Sequence, residues 1–117
     1  MIEWPEEARR VGVAKSKKQE QVWTREAILD ALSQYQSVLN RMGVQRIGLF
    51  GSYIRDEAGP HSDIDILVTF EEPSFDAYAE TKIHLEDLFE RKVDLVLEKS
   101  LKPRLRSGIL AEVVYAA

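Results

Sequence analysis

The fold of this chain is decided by residues 44–70, which read VQRIGLFGSYIRDEAGPHSDIDILVTF. Residues 44–50 are rich in Val, Ile, Leu and Phe and end at Gly51, as a mostly buried strand does where it enters a tight turn. Residues 63–70 alternate, so that side chains two positions apart share a face of a second strand. Gly, Pro, His and Ser at residues 58–62 are typical of a turn. The segment therefore predicts two strands joined through a Gly-Ser turn and a loop.

Periodic segments on both sides of this unit add helices and a third strand. Apolar residues at spacings of three and four predict helices before and after the strand pair. The predicted elements are a helix from the N-cap Thr24 to Met42 with Gly43 as its stop, a short helical turn over 52–57, a helix over 75–90, a strand over 93–97, a helix over about 102–111 and a short strand over 113–115. The chain is thus predicted to alternate helices with strands.

The amino-acid composition limits the classes of protein to which this chain can belong. The 117 residues, 44% hydrophobic and 31% charged, suffice for one small folded domain. Sixteen basic against twenty acidic residues leave a net charge of −4, so direct DNA binding is not expected. The absence of Cys excludes a disulfide framework, a thiolate zinc site and a cysteine nucleophile. No apolar run approaches the ~20 residues of a membrane span, and we expect a cytoplasmic protein without a membrane partner.

The amino-terminal residues differ from the rest. Residues 1–22 mix basic and acidic side chains without a sustained period, which predicts an N-terminal arm in front of a domain over 23–117. The arm is either a solvated extension or a partner-binding segment anchored by Trp4 or Trp23.

Three acidic residues form the first functional constellation. Asp63 and Asp65 lie two apart on one strand, so their side chains share a face about 7 Å apart at the backbone. Two carboxylates beside an apolar core repel, and one must be protonated unless a cation neutralises them. Asp94 is the second residue of another strand, and a suitable register would bring it to the same place. Oxygen ligands without His or Cys favour Mg²⁺, or Mn²⁺, held by the three carboxylates.

A candidate phosphate site precedes these acids. Gly51 allows close approach of backbone, and amides at the start of a helical turn face an anion. Ser52 can donate through its hydroxyl, and Arg55, one turn on, can offer a guanidinium. Each feature alone is weak, because Gly-Ser is often only a turn and Asp-x-Asp often a solvated strand end. Together they indicate nucleotide chemistry with magnesium.

The same residues carry a family resemblance. FGSYIR at 50–55, SDIDILV at 62–68 and VDLV at 93–96 resemble the signature of the DNA polymerase beta superfamily, in particular its minimal nucleotidyltransferase branch. The likeness runs from about 25 to 115 and includes LKP at 101–103 and ILAE at 109–112. This chain departs from the usual Gly-Ser-x-Ala-Arg-Gly by carrying Ile54 and Asp56, and Asp56 adds a negative charge near the expected phosphates.

The resemblance implies a fold and a site. The fold would be α/β (α+β), a small mixed β-sheet flanked by helices, as in polymerase beta-like nucleotidyltransferases. Gly51 and Ser52, with Arg55 beside them, would hold the triphosphate of ATP or another nucleoside triphosphate. Asp63 and Asp65 would bind two Mg²⁺ ions, while Asp94 would bind one of them and help to deprotonate the acceptor hydroxyl.

The resemblance also implies a partner. Family members of this size are typically paired with a helical HEPN-domain ribonuclease toxin and act as its antitoxin by transferring AMP from ATP to a toxin tyrosine. Two alternatives stay open: an antitoxin that neutralises the toxin by binding without catalysis, and a nucleotidyltransferase that modifies a small molecule. The sequence leaves open whether the chain forms a homo-oligomer or a hetero-oligomer.

Three further side chains are candidates for ordinary structural roles. His61 is expected in an exposed turn, and His84, offset from the apolar face of its helix, is expected on the surface. Tyr53 is expected either to line the nucleotide site or to pack as an aromatic side chain.

Overall fold

The computed structural model describes residues 22–116, which form four helices and a four-stranded sheet. The elements are α1 (Arg25–Gln34), α2 (Gln36–Arg41), β1 (Val44–Phe50), β2 (Ile64–Phe70), α3 (Phe75–Phe89), β3 (Val93–Leu97), α4 (Pro103–Glu112) and β4 (Val114–Tyr115). Short 3₁₀ turns occupy Gly51–Tyr53 and Glu98–Ser100. Among the described residues, no helix combines the length and the apolar character that crossing a membrane requires.

The sheet mixes parallel and antiparallel pairs in the order β3-β2-β1-β4. Strand β1 runs antiparallel to both β2 and β4, whereas β2 and β3 are parallel. A parallel pair needs a crossover connection, which α3 provides between β2 and β3. The predicted α/β (α+β) class, a small mixed sheet flanked by helices, is confirmed.

One face of the sheet forms the hydrophobic core. Ile64, Ile66, Val68 and Phe70 are buried on the face that alternation assigned to them. They join buried side chains from the neighbouring strands and the first three helices, among them Ile28, Leu32, Leu49, Leu85, Leu88, Phe89 and Val93. Burying each large apolar side chain contributes roughly 1.5–3 kcal/mol, so this face dominates the stability of the domain. The opposite face carries Asp65 and Thr69, both half-buried, on either side of the buried Leu67.

The first helical segment is bent, so the prediction of one continuous helix up to Gly43 was wrong. Its start is as predicted, because the Thr24 hydroxyl accepts a hydrogen bond from the Ala27 N–H at 3.1 Å. Tyr35 is buried and leaves the helical region at φ −97° and ψ 14°, which separates α1 from α2. Backbone hydrogen bonds continue through the bend, from Tyr35 N–H to Ala31 O at 3.1 Å. Gly43 ends α2 at φ +91°.

Helix α3 begins after the N-cap Ser74 and packs one face against the core. Thr81, His84 and Leu85 are buried there, so the prediction of a surface His84 was wrong. Ile83, although hydrophobic, is 45% exposed because it lies about 100° around the helix from His84. Burial lowers the pKa of His84, which favours its neutral form.

Trp23 joins the beginning of α1 to the end of α3. Its indole N–H donates to the Phe89 carbonyl at 3.0 Å, and the two rings meet edge to face with centroids 4.9 Å apart. Trp23 therefore belongs to the core of the domain. Residues 1–21, including Trp4, lie outside the described residues.

Candidate active site

The topology brings the predicted site residues to one edge of the sheet. Because β1 and β2 are antiparallel, the end of β1 lies beside the start of β2, and Phe50 is the partner of Asp65. Because β2 and β3 are parallel, their starts lie side by side, and Asp65 is the partner of Asp94. Gly51, which follows β1 directly, is thus at the same edge as both carboxylates.

Asp65 and Asp94 project from the same face of the sheet. Residues in register on adjacent strands share a face, and the strands are about 4.8 Å apart. This face is opposite the core, because the neighbours Ile64 and Val93 are fully buried on the other side. Asp65 is half-buried and Asp94 is exposed. The arrangement places two acidic side chains next to one another at the solvent boundary.

The charged side chains at this edge of the sheet change the pKa of Asp65. The pKa of Asp65 is raised from 3.8 to about 6, first by burial and then by the negative charges of Asp94 and Asp63. The backbone N–H of Ser52 and the guanidinium of Arg55 oppose this effect. Asp63, exposed and one residue before β2, is therefore close enough to act on Asp65 electrostatically. A bound cation would relieve this repulsion.

The turn after β1 requires a glycine. Gly51 has φ +80°, and a Cβ atom there would lie 2.8 Å from the carboxylate carbon of Asp65. The turn continues into the 3₁₀ segment, where Tyr53 is buried in the core and acts as a packing aromatic. Ser52, between them, directs its backbone N–H to Asp65. The backbone of the turn therefore packs directly against the Asp65 carboxylate.

Asp56 adopts a backbone conformation that explains the departure from the family pattern. Its φ is +60°, in the left-handed region that glycine enters most easily and Asp tolerates better than most residues. Its side chain is exposed, as is that of His61 in the predicted turn. Asp56 thus keeps the turn geometry and adds an acidic residue directly after Arg55.

One contact at this edge involves a residue that sequence reasoning did not single out. The Gly51 N–H donates to Glu112 Oε2 at 2.8 Å. Arg55 donates from Nη1 to both Glu112 oxygens at 3.1 Å and from Nε to Glu57 at 2.9 Å. Glu112 stands in the ILAE segment at 109–112, whose resemblance to the family was the only signal available.

The donor set fits magnesium. Among residues 22–116, no three Asp, Glu, His or Cys side chains meet closely enough to hold an ion by themselves. Mg²⁺ ordinarily takes only one or two carboxylates and completes its shell with water and substrate phosphates. Asp65 and Asp94 offer such a pair of oxygen ligands. The place of Asp63 as a third ligand and the number of ions stay predictions.

Comparison with known proteins identifies the family. A model of the nucleotidyltransferase domain matches residues 25–116. The chain belongs to the nucleotidyltransferase domain family. This nucleotidyltransferase is 47% identical over 94 residues to the protein adenylyltransferase MntA of Thermococcus cleftensis, an alignment that covers 79% of this chain and 95% of the relative.

Solved structures agree with this assignment. A protein described as a minimal nucleotidyltransferase has a TM-score of 0.69 and 38% identity, and the match covers 79% of this nucleotidyltransferase and 95% of that chain. A chain in a crystal structure of a toxin–antitoxin with AMP-PNP has a TM-score of 0.60 and 27% identity, with 73% of this chain and 72% of that chain covered. The likeness to minimal nucleotidyltransferases expected from residues 50–55, 62–68 and 93–96 is confirmed.

Proposed function

We propose that this nucleotidyltransferase transfers AMP from ATP to a hydroxyl group of a partner protein and thereby acts as an antitoxin. The observation that carries the proposal is the register pairing of Asp65 with Asp94 beside the Gly51 turn. The relative named a protein adenylyltransferase and the neighbour in a toxin–antitoxin complex with AMP-PNP support it. The family resemblance implies more specifically a tyrosine of a HEPN ribonuclease toxin as acceptor.

The residues of the site have separate roles in an in-line displacement. Ser52 and Arg55 bind the triphosphate at the end of β1, which orients the α-phosphorus toward the acceptor. Asp94, exposed at the edge, accepts the proton of the acceptor hydroxyl. The new bond joins the acceptor oxygen to the α-phosphorus, the α–β bridging bond breaks, and pyrophosphate leaves. Magnesium held by Asp65 and Asp94, with Asp63 beside them, supplies charge neutralisation of the phosphates when bound.

The test uses the full chain, MgATP and the helical protein encoded beside it. Intact-mass spectrometry should show one or more AMP additions to that partner. Asp65→Ala and Asp94→Ala should abolish the additions, whereas Glu72→Ala, which removes an exposed acid beyond the other end of β2, should retain them. Unchanged additions in both aspartate variants would refute the catalytic assignment.

Neutralisation by binding alone is a second candidate, favoured by the extra charge of Asp56 near the phosphate site. It predicts that cells expressing the toxin survive equally with wild-type protein and with Asp65→Ala. The catalytic proposal predicts growth arrest with the variant. Expression of both proteins, checked by immunoblot, makes the comparison quantitative.

A further inference from the structure

We propose that Glu112 is a positioning residue, which holds the Gly51 turn and the Arg55 guanidinium in the geometry that receives the nucleotide triphosphate. This inference rests on the proposed nucleotidyl transfer and adds a residue from α4 to it. Glu112 lies 61 positions from Gly51 and 57 from Arg55, so its role follows from the fold alone.

The contacts of Glu112 close a ring through the phosphate-binding turn. Its carboxylate accepts from the Gly51 N–H at 2.8 Å and from Arg55 Nη1 at 3.1 Å. The backbone completes the ring, because the Arg55 N–H donates to the Gly51 carbonyl at 3.1 Å. Hydrogen bonds to a charged carboxylate are stronger than neutral ones, so the ring resists opening.

Glu112 differs from the other carboxylate that Arg55 contacts. The Glu112 side chain is 23% exposed, and it also binds a backbone amide, whereas the Glu57 side chain is 62% exposed. Exposed pairs contribute little, because water screens them. Glu112 is therefore the partner that limits the motion of Arg55, whose long side chain would otherwise lose much rotamer freedom on binding a phosphate.

Helix α4 has no buried side chain, and polar contacts link it to the sheet at both ends. At the far end, Arg106 donates from Nη1 to the Glu98 carbonyl at 2.9 Å and pairs with the Glu98 carboxylate at 3.6 Å. Glu98 in turn accepts from Arg46 of β1 at 2.7 Å. The helix thus connects the beginning of β1 with the turn at its end.

The guanidinium keeps donors for a nucleotide in this arrangement. Arg55 uses Nη1 for Glu112 and Nε for Glu57, out of a group with five N–H donors. Nη2 is the nitrogen that would meet a phosphate oxygen. Glu112 therefore fixes the orientation of the Arg55 guanidinium and leaves Nη2 available to donate to a phosphate.

The test compares Glu112→Ala, Glu112→Gln and Glu57→Gln in steady-state adenylylation of the partner with MgATP varied. Glu112→Ala should lower kcat/KM for ATP about 10- to 100-fold, the effect of losing a hydrogen bond to a charged group, with most of the loss in KM. Glu112→Gln keeps an oxygen for the Gly51 N–H and should lose less than the alanine variant. Glu57→Gln should stay within about twofold of wild type, since it removes an exposed pair.

Urea unfolding of each variant separates positioning from general stability. A kcat/KM in Glu112→Ala and Glu112→Gln equal to wild type would overturn the inference, even if both variants unfold earlier. Tighter ATP binding by Glu112→Ala would also overturn it, because Glu112 would then compete with the phosphates. Wild-type protein that adenylylates nothing would instead contradict the proposed function itself.

Discussion

At the residue scale, Asp65 shows a conflict between stability and chemistry. Burial and two neighbouring aspartates raise its pKa to about 6, yet an oxygen ligand for magnesium must be ionised. The charged form is therefore held at a cost to the folded state. Destabilising charges of this kind are common at binding sites that are preorganised for a ligand.

Replacing Asp65 by Asn should stabilise the metal-free protein at high pH. The folded state binds the Asp65 proton more tightly than the unfolded state, so the wild-type unfolding free energy falls as pH rises from about 4 to about 6 and stays reduced above that. Urea unfolding in EDTA should give a larger gain for Asp65→Asn near pH 8 than near pH 4.5. The exposed Asp63→Asn is the matched control and should gain less. Equal gains at both pH values would contradict the raised pKa.

Two glycine substitutions should have opposite effects. Gly51→Ala places a Cβ against the Asp65 carboxylate at φ +80°, and we expect a loss of about 1–3 kcal/mol together with loss of transferase activity. Gly108→Ala, inside α4 with no atom within 4 Å of the added Cβ, should gain about 0.5–1 kcal/mol. Thermal unfolding of the two variants beside wild type measures both. A stable and active Gly51→Ala would mean that the turn is looser than described.

The acidic site residues could be predicted from sequence because they lie within short patterns. The second position of an apolar strand marks Asp94, and the two-residue period predicts Asp63 beside Asp65, which stays a prediction because β2 begins at Ile64. Glu112 carries no such pattern, since its partners lie 57 and 61 residues away. The resemblance of ILAE at 109–112 to the family marks the segment, but the contacts of Glu112 with the turn are seen only in the fold.

At the element scale, strands were easier to predict than helix faces. The bounds 44–50 and 93–97 agree with β1 and β3, because glycines flank the first strand and charged residues flank the second. The bend at Tyr35 and the burial of His84 could not be predicted, since both depend on how the helices pack on the sheet. Hydrophobicity alone would assign Ile83 to the core, but the packing of α3 on the sheet leaves its side chain exposed.

The junction between α1 and α3 should be sensitive to loss of the Trp23 indole. Trp23→Phe removes the indole N–H that binds the Phe89 carbonyl, and we expect a loss of about 1–3 kcal/mol from the buried acceptor left behind. Val22→Ala, at an 83% exposed neighbour, should change the unfolding free energy by less than about 0.5 kcal/mol. Urea unfolding provides the comparison, and equal effects of the two substitutions would contradict a structural role for the indole.

At the scale of the whole molecule, the described residues contain a hydrophobic core and the candidate site. The core extends from Trp23 to Leu95, and the family match covers 25–116. Both support the predicted domain boundary at residue 23, which stays a prediction.

A chain that begins at Val22 should fold as the full chain does. We expect its unfolding free energy to lie within about 0.5 kcal/mol of the full-length value, because the family match begins at residue 25 and the chain from Trp23 onward supplies a hydrophobic core. Far-ultraviolet circular dichroism and urea unfolding of both chains test the boundary. A loss of several kcal/mol would show that the first 21 residues belong to the domain.

The parallel pairing of β2 with β3 determines when the candidate active site forms during folding. Asp65 and Asp94 are neighbours only after the whole of α3 has crossed from one strand to the next. Pairings between distant parts of a chain form slowly, because the loop entropy is lost before the contacts are gained. In a refolding experiment, catalytic competence should accordingly return with the latest kinetic phase, after helical signal has already recovered.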